Sequence, residues 1–215
     1  MTKNIFQPEI KIYSPNFNSR NCPHPWPPET KIEIFLDRIK NWQFGAAKTL
    51  IQSKNPNHNI AILHLIIHYF EMIAKYRDGY TKDYKSRQYF KDGFSFLLTS
   101  LSNMNDELLD DNDPKTKIIK DKIMDDFYFS VRCGLYHAGI PKGNIAWSND
   151  IPGPLIVQNL PKYYQIIINP TLLVNAIEAD FDNYVSQLRD NRDNKNDDLR
   201  NKFLDRFSFD VGEPV

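Results

Sequence analysis

The sequence predicts a mainly helical bundle with a small β-hairpin insert and an extended N-terminal arm. Three observations carry that expectation. Ile119, Ile123, Phe127, Val131 and Leu135 recur at every fourth residue and mark one apolar stripe along a helix. Helix starts are signalled by Pro114, and by Asn169 followed by Pro170, a capping side chain ahead of a first-turn proline. Between those starts the run LIVQNLPKYYQIII reads as two strands with a turn near 159–162.

Residues 1–28 form the arm. The run NCPHPWPPE contains four prolines, which forbid helix and favour an extended chain. From Glu29 the pattern turns helical, with Ile32, Phe35, Leu36, Ile39 and Trp42 or Gln43 on the inward face. This helix is expected to continue past Gly45 through AAKTLIQSK and to stop at the NPN of residues 55–57. A second, strongly apolar helix covers about 58–77 and ends at RDG, with glycine in the capping position. A third covers KSRQYFKDGFSFLLTSL, and the polar NMNDELLDDNDP reads as a loop. The fourth opens at Pro114, and Gly139 and Pro141 end it. The hairpin lies near 155–168, and the last helix turns Leu173, Ile177, Phe181, Tyr184 or Val185, and Leu188 inward. The bundle therefore spans 29–190. Residues 191–215 read as a polar C-terminal extension, because RDNRDNKNDDLRNK is almost wholly polar.

Composition narrows the function. The 215 residues suffice for one sizeable core, and 41% hydrophobic with 25% charged content is ordinary for a soluble globular protein. Twenty-seven basic residues meet 27 acidic ones, which argues against coating nucleic acid by bulk charge and leaves room for a local basic cleft. Runs such as IAILHLIIHYF are too short and too rich in histidine to span a bilayer, and MTKNIFQPEIKIY has no apolar signal core. Two cysteines, Cys22 and Cys133, do not make a disulfide framework. The expectation is a cytoplasmic protein with free thiols and no membrane association.

The run SVRCGLYHAG closes the fourth helix. Arg132 and His137 are five residues apart in it, about 140° around a straight helix. Phe129, Cys133, Tyr136 and, further up, Asp125 lie between them on the wheel, and the apolar stripe lies mostly opposite. Neither residue has an acid three or four positions away in its own helix. A cation at a helix C-terminus interacts favourably with the dipole, which is the structural alternative to a functional role.

An arginine and a histidine with four residues between them, at the end of a long helix in an all-helical bundle, resemble the signature of the HEPN superfamily (higher eukaryotes and prokaryotes nucleotide-binding). The order of elements adds to the resemblance: a helix with EMIAKYRDG, one with YFKDGFSFLL, the motif helix, a hairpin, then INPTLL and a helix ending YVSQLR. It covers roughly residues 30–190. It implies a helical HEPN-like fold and a metal-independent endoribonuclease, often a toxin or antiphage effector, that works as a homodimer with both motifs in one cleft. Arg132 and His137 would then be the catalytic pair. Members often carry a small polar residue after the arginine, where this chain has Cys133. A neighbouring antitoxin or other regulatory protein is an implied partner. The alternative is a non-catalytic HEPN-like module that binds RNA, a nucleotide or a protein partner.

The chemistry suits the pair. Metal-free RNA cleavage needs a base for the 2′-hydroxyl, an acid for the leaving 5′-oxygen and positive charge on the phosphorane. Histidine titrates near neutrality and serves as base or acid. Arginine grips phosphate through two donors. A two-fold dimer would supply two of each.

Other residues support or compete. Glu71, the one acid in NIAILHLIIHYFEMIA, is expected either to pair with Lys75 one turn on or to orient Arg132 from the neighbouring helix. Phe129, Cys133 and Tyr136 are expected to form the supporting face of the pair and to cover the two-fold contact. His64, His68 and Glu71 share one helix face at a metal-ligand spacing, but no further ligand set is visible, and neither metal nor cofactor is expected. The segment YTKDYKSRQYFK interleaves Lys82, Lys85, Arg87 and Lys91 with tyrosines, which suits single-stranded RNA, although charge runs more often simply face water. No glycine-rich phosphate loop or Gly-x-Ser-x-Gly elbow is present.

Overall fold

A computed structural model of the chain describes residues 10–79, 81, 85–101, 114–159, 164–190 and 194–212, and it is mainly helical. The first helical stretch begins at Pro28, where a missing N–H costs nothing. It runs unbroken through α1 (Pro28–Asp37), a π-helical segment (Arg38–Gly45) and α2 (Ala46–Gln52). The π segment resets the inward face. Ile39 and Phe44 are buried, while Trp42, expected inward, is 47% exposed. Bonding from i to i+5 puts the next core position five residues on rather than three or four.

The second helix is interrupted. α3 (Asn59–Ile66) and α4 (Tyr69–Asp78) are joined by a turn at Ile67 and His68, and Gly79 ends α4 in the left-handed region at φ 71°. α5 (Ser86–Leu101) lies against α4 so closely that a Cβ on Gly93 would stand 1.8 Å from the Phe70 carbonyl oxygen. Only glycine permits that approach.

The motif helix begins at Pro114 as expected. It comprises α6 (Pro114–Phe127), a second π segment (Tyr128–Arg132) and α7 (Cys133–Ala138), closed by left-handed Gly139. Ile123, Phe127, Val131 and Leu135 are buried along it, as the stripe predicts. The side chain of Ile119, the loop of residues 103–113 and the expected turn from 160 to 162 lie outside the described residues.

The hairpin is part of a three-stranded sheet. β2 (Leu155–Asn159) pairs antiparallel with β3 (Tyr164–Ile168), with Leu155 opposite Ile168. β1 (Ile145–Trp147) adds to the other edge of β3 in parallel, giving the order β1-β3-β2. Three residues carry too little alternation for sequence patterning to detect. Asn169 then caps α8 (Pro170–Arg189) by accepting from the Leu172 N–H at 3.0 Å, and the whole predicted inward set is buried, Tyr184 and Val185 both included.

Both ends of the chain correct the expectation. α9 (Asp197–Val211) is no polar extension, because Phe203 and Phe207 are buried in the common core. The Phe203 ring lies 5.4 Å from Phe35 and 5.6 Å from Tyr76. Two aromatics one turn apart anchor a helix that is otherwise charged. The described part of the arm folds back onto the bundle instead of extending away. Trp26 packs edge-on to Tyr13 at 4.5 Å and meets Phe207 at 6.2 Å. The Asp37 carboxylate accepts from Ser14 Oγ at 2.6 Å and from the Asn16 N–H at 2.8 Å. Among the described residues no helix is long and apolar enough to cross a membrane.

Candidate functional site

α4 and the second π segment bring Glu71 and Arg132 together. Arg132 Nη2 donates to Glu71 Oε2 at 3.1 Å and to Ser86 Oγ at 3.4 Å. The other carboxylate oxygen, Oε1, takes Lys75 Nζ at 2.9 Å. Both partners expected for Glu71 are therefore realised at once. The guanidinium also lies 5.7 Å from the Tyr128 ring centre and 5.4 Å from that of Tyr136, and its Nε is buried with no hydrogen-bond partner among the described residues. Burial tends to raise the Glu71 pKa. Hydrogen bonds from Ser86 and Lys75, with the charges of Lys75 and Arg132, outweigh it and hold the carboxyl below its ordinary value.

Glu71, Lys75 and Arg132 line a cleft of about 230 Å³ together with His68 and, from α9, Arg206 and Asp210. Arg206 pairs with Asp210 at 2.6 Å. His68 is exposed as a residue, yet atoms crowd its ring. That crowding and the positive charge of Arg132 lower its pKa, against the opposing pull of Glu71. At near-neutral pH the imidazole is held neutral and so adds no repulsion to Arg132.

His137 stands one turn and a half further along, at the end of α7. It is exposed, its ring lies edge-on to Tyr136 at 5.0 Å, and it makes no hydrogen bond among the described residues. The backbone around it is fixed from two sides. The Lys142 N–H donates to the Ser130 carbonyl inside the π segment at 2.8 Å. His64 Nε2 lies 3.3 Å from the Gly139 carbonyl oxygen, a hydrogen bond in the tautomer protonated there. Gly134 lets the returning chain cross, since a Cβ at that position would stand 2.8 Å from the Ile140 carbonyl oxygen. The motif helix thus ends in a hairpin-like fold-back that presents His137 outward.

Of the supporting face, Phe129 is 51% and Tyr136 67% exposed, and Cys133 is a half-buried free thiol. Exposed aromatic surface beside the pair is therefore present, as expected. The basic, tyrosine-rich segment behaves differently. Lys82, with Tyr80 and Tyr84, lies outside the described residues, and Lys85 is exposed. Arg87 meets Asp125 through Nε at 2.9 Å and Nη2 at 2.6 Å, while Lys91 bridges Asp121 and Asp125. Arg87 and Lys91 thus tie α5 to α6, and their charges are answered within the fold. His64, His68 and Glu71 do not converge either, and among the described residues no three His, Cys, Asp or Glu side chains are placed to hold a metal ion.

Sequence reasoning missed Ser86, Tyr128, His68 as a neighbour of Arg132, and the α9 pair Arg206 and Asp210. Tyr128 stands four residues before Arg132, a spacing at which helical side chains meet. Nothing in the linear pattern placed Ser86 beside Arg132 or α9 on the cleft. Comparison with protein-family models, curated proteins and solved structures gives no match to this chain.

Proposed function

We propose that the chain is a HEPN-like, metal-independent endoribonuclease of the toxin or defence-effector kind, acting as a homodimer whose two copies face each other across the Phe129, Cys133 and Tyr136 surface. One observation carries this reading. Arg132 is held in place by Glu71 through a single nitrogen, while His137 stands outward and unbonded on the next turns. A clamp benefits from being fixed, and a proton-transfer group must reach the solvent-facing substrate.

In this reading His137 of one copy removes the 2′-hydroxyl proton of RNA, and the oxygen attacks the adjacent phosphorus. His137 of the second copy protonates the departing 5′-oxygen. Arg132 contributes its remaining N–H donors to the phosphorane. The fragments end in a 2′,3′-cyclic phosphate and a 5′-hydroxyl. Glu71 positions Arg132 without touching substrate. A regulatory protein or antitoxin that covers the same face would silence the site.

A second reading is favoured by the Arg132–Glu71 pair itself and by Cys133, a weak hydrogen-bonder. An arginine already neutralised by a carboxylate suits a non-catalytic module for RNA, nucleotide or protein.

The test is cleavage of single-stranded RNA in EDTA. The expected result is RNA cut with 2′,3′-cyclic ends and DNA left intact, because DNA lacks the nucleophile. His137→Ala and Arg132→Ala should each slow the reaction by about 10²–10⁴-fold with the fold retained. Cleavage that survives both substitutions, or that stops with EDTA, overturns the assignment. No cleavage of any RNA leaves the binding module as the function. Light scattering should give twice the 25.2 kDa chain mass.

A further inference from the structure

A cavity lies away from Arg132, where the end of α2, the start of α3, the 149–151 turn and the N-terminus of α8 meet. It encloses about 470 Å³, within the range of small-molecule sites. Its apolar wall is aliphatic: Leu50, Ile51, Ile62, Ile151 and Leu172. Its polar side includes Lys54, Asn59 and Thr171. Asn59 is 94% buried, being 6% exposed, lines the cavity, and its amide has no hydrogen-bond partner among the described residues. An amide that faces a cavity with no protein partner offers its hydrogen bonds to whatever enters.

The helix end adds to this. α8 is 20 residues long, and its first turn faces the cavity through Thr171 and Leu172. Pro170 has no N–H, and the N–H groups of Leu172 and Leu173 are taken by Asn169. The Thr171 N–H is therefore the open donor at the positive end of the helix dipole. Asn169 in turn donates to the carbonyls of Asn149 and Ile151 at 3.1 and 3.2 Å, which pins the 149–151 turn as the far wall. Lys54 supplies the one cation of the lining, which contains no acid, and it forms no ion pair among the described residues. It holds φ 54°, a left-handed conformation that lysine adopts at a cost.

The geometry points to a binding site for a small amphiphilic anion, an aliphatic body ending in a carboxylate or phosphate. The body lies against the leucine and isoleucine wall, and the anionic head takes the Thr171 N–H, the Asn59 amide and the Lys54 ammonium. This site is independent of RNA cleavage and stands or falls separately from it.

Calorimetric titration of the full chain with octanoate, octyl phosphate, octanol and octylamine, all below their aggregation concentrations, tests it. Both anions should bind, and octanol and octylamine should bind at least about tenfold more weakly, since the head-group charge carries the difference. The tighter of the two anions identifies the head group. Lys54→Met, an exposed change that leaves the wall intact, should weaken both anions about tenfold and leave octanol unchanged. Asn59→Leu should abolish anion binding while thermal melting confirms the fold. Equal affinity for octanol and octanoate, unchanged anion affinity in Lys54→Met, or no binding of any of the four probes would each overturn the proposal.

Discussion

Arg132 and Arg87 stand near each other on the same side of the bundle, and each meets a carboxylate from another helix and lies over an aromatic ring. They differ in how the fork is used. Arg87, half exposed, closes both Nε and Nη2 on Asp125 and sits 5.1 Å from the Phe129 ring centre. Arg132, only 19% exposed at the side chain, meets Glu71 through Nη2 alone. A planar guanidinium grips phosphate through two donors, so the two arginines differ in how many donors a carboxylate has already taken. Under the proposed function Arg132 is the one assigned to substrate. Exposure and basic character on their own do not separate the two.

That contrast can be broken most directly at Glu71. Glu71→Ala removes the carboxylate that Arg132 and Lys75 share in a largely buried setting. It should cost about 2–3 kcal/mol in urea unfolding and reduce RNA cleavage with it. Asp125→Ala, its counterpart at the exposed pair, should move the urea midpoint far less. Gly134→Ala comes next. The added Cβ presses on the Ile140 carbonyl and on the fold-back that holds His137, so about 1–3 kcal/mol of stability should be lost. Circular dichroism during urea titration measures both.

Acid titration sharpens the comparison. Glu71 binds its proton less readily folded than unfolded, so its contribution stands above the ordinary carboxyl range and is lost as pH falls through the lowered folded value. His68 also disfavours its proton in the fold. The unfolded chain therefore takes that proton first, and stability declines as pH drops below about 6.5. Melting temperature against pH should show the upper limb flattened by His68→Gln and the lower limb flattened by Glu71→Gln. The smallest effect belongs to Arg87→Ala, which should leave cleavage at the wild-type rate. A large loss there would place Arg87, and not Arg132, at the substrate.

The parts of the fold that announce themselves locally were legible. Pro114, the Asn169–Pro170 start and the four-residue stripe through Phe127 each depend on neighbours in sequence. The Glu71–Arg132 pair was legible too, because a single acid on an apolar helix needs a partner from elsewhere. What escaped depends on geometry that a uniform helical period hides. The π segments shift the inward face from Trp42 to Phe44, and Ser130 offers its carbonyl to Lys142 only because the second π segment is there. α9 looked polar because its two core contacts, Phe203 and Phe207, are few and lie among charges. The pairing of Arg87 and Lys91 with α6 was invisible because it joins segments separated by a long polar loop.

The position of α9 in the chain sets a schedule. Its Arg206 and Asp210 wall the Arg132 cleft, and its Phe203 and Phe207 complete the core behind it. During synthesis every other described element has been made before this helix appears, since translation proceeds at about 5–20 residues per second and domains fold as units. A nascent chain that still lacks residues 197–211 therefore carries Arg132 without one wall of its cleft. For a protein proposed to cut RNA, the ribosome that makes it is the nearest RNA, and the Arg132 cleft takes its full shape only once α9 has been made.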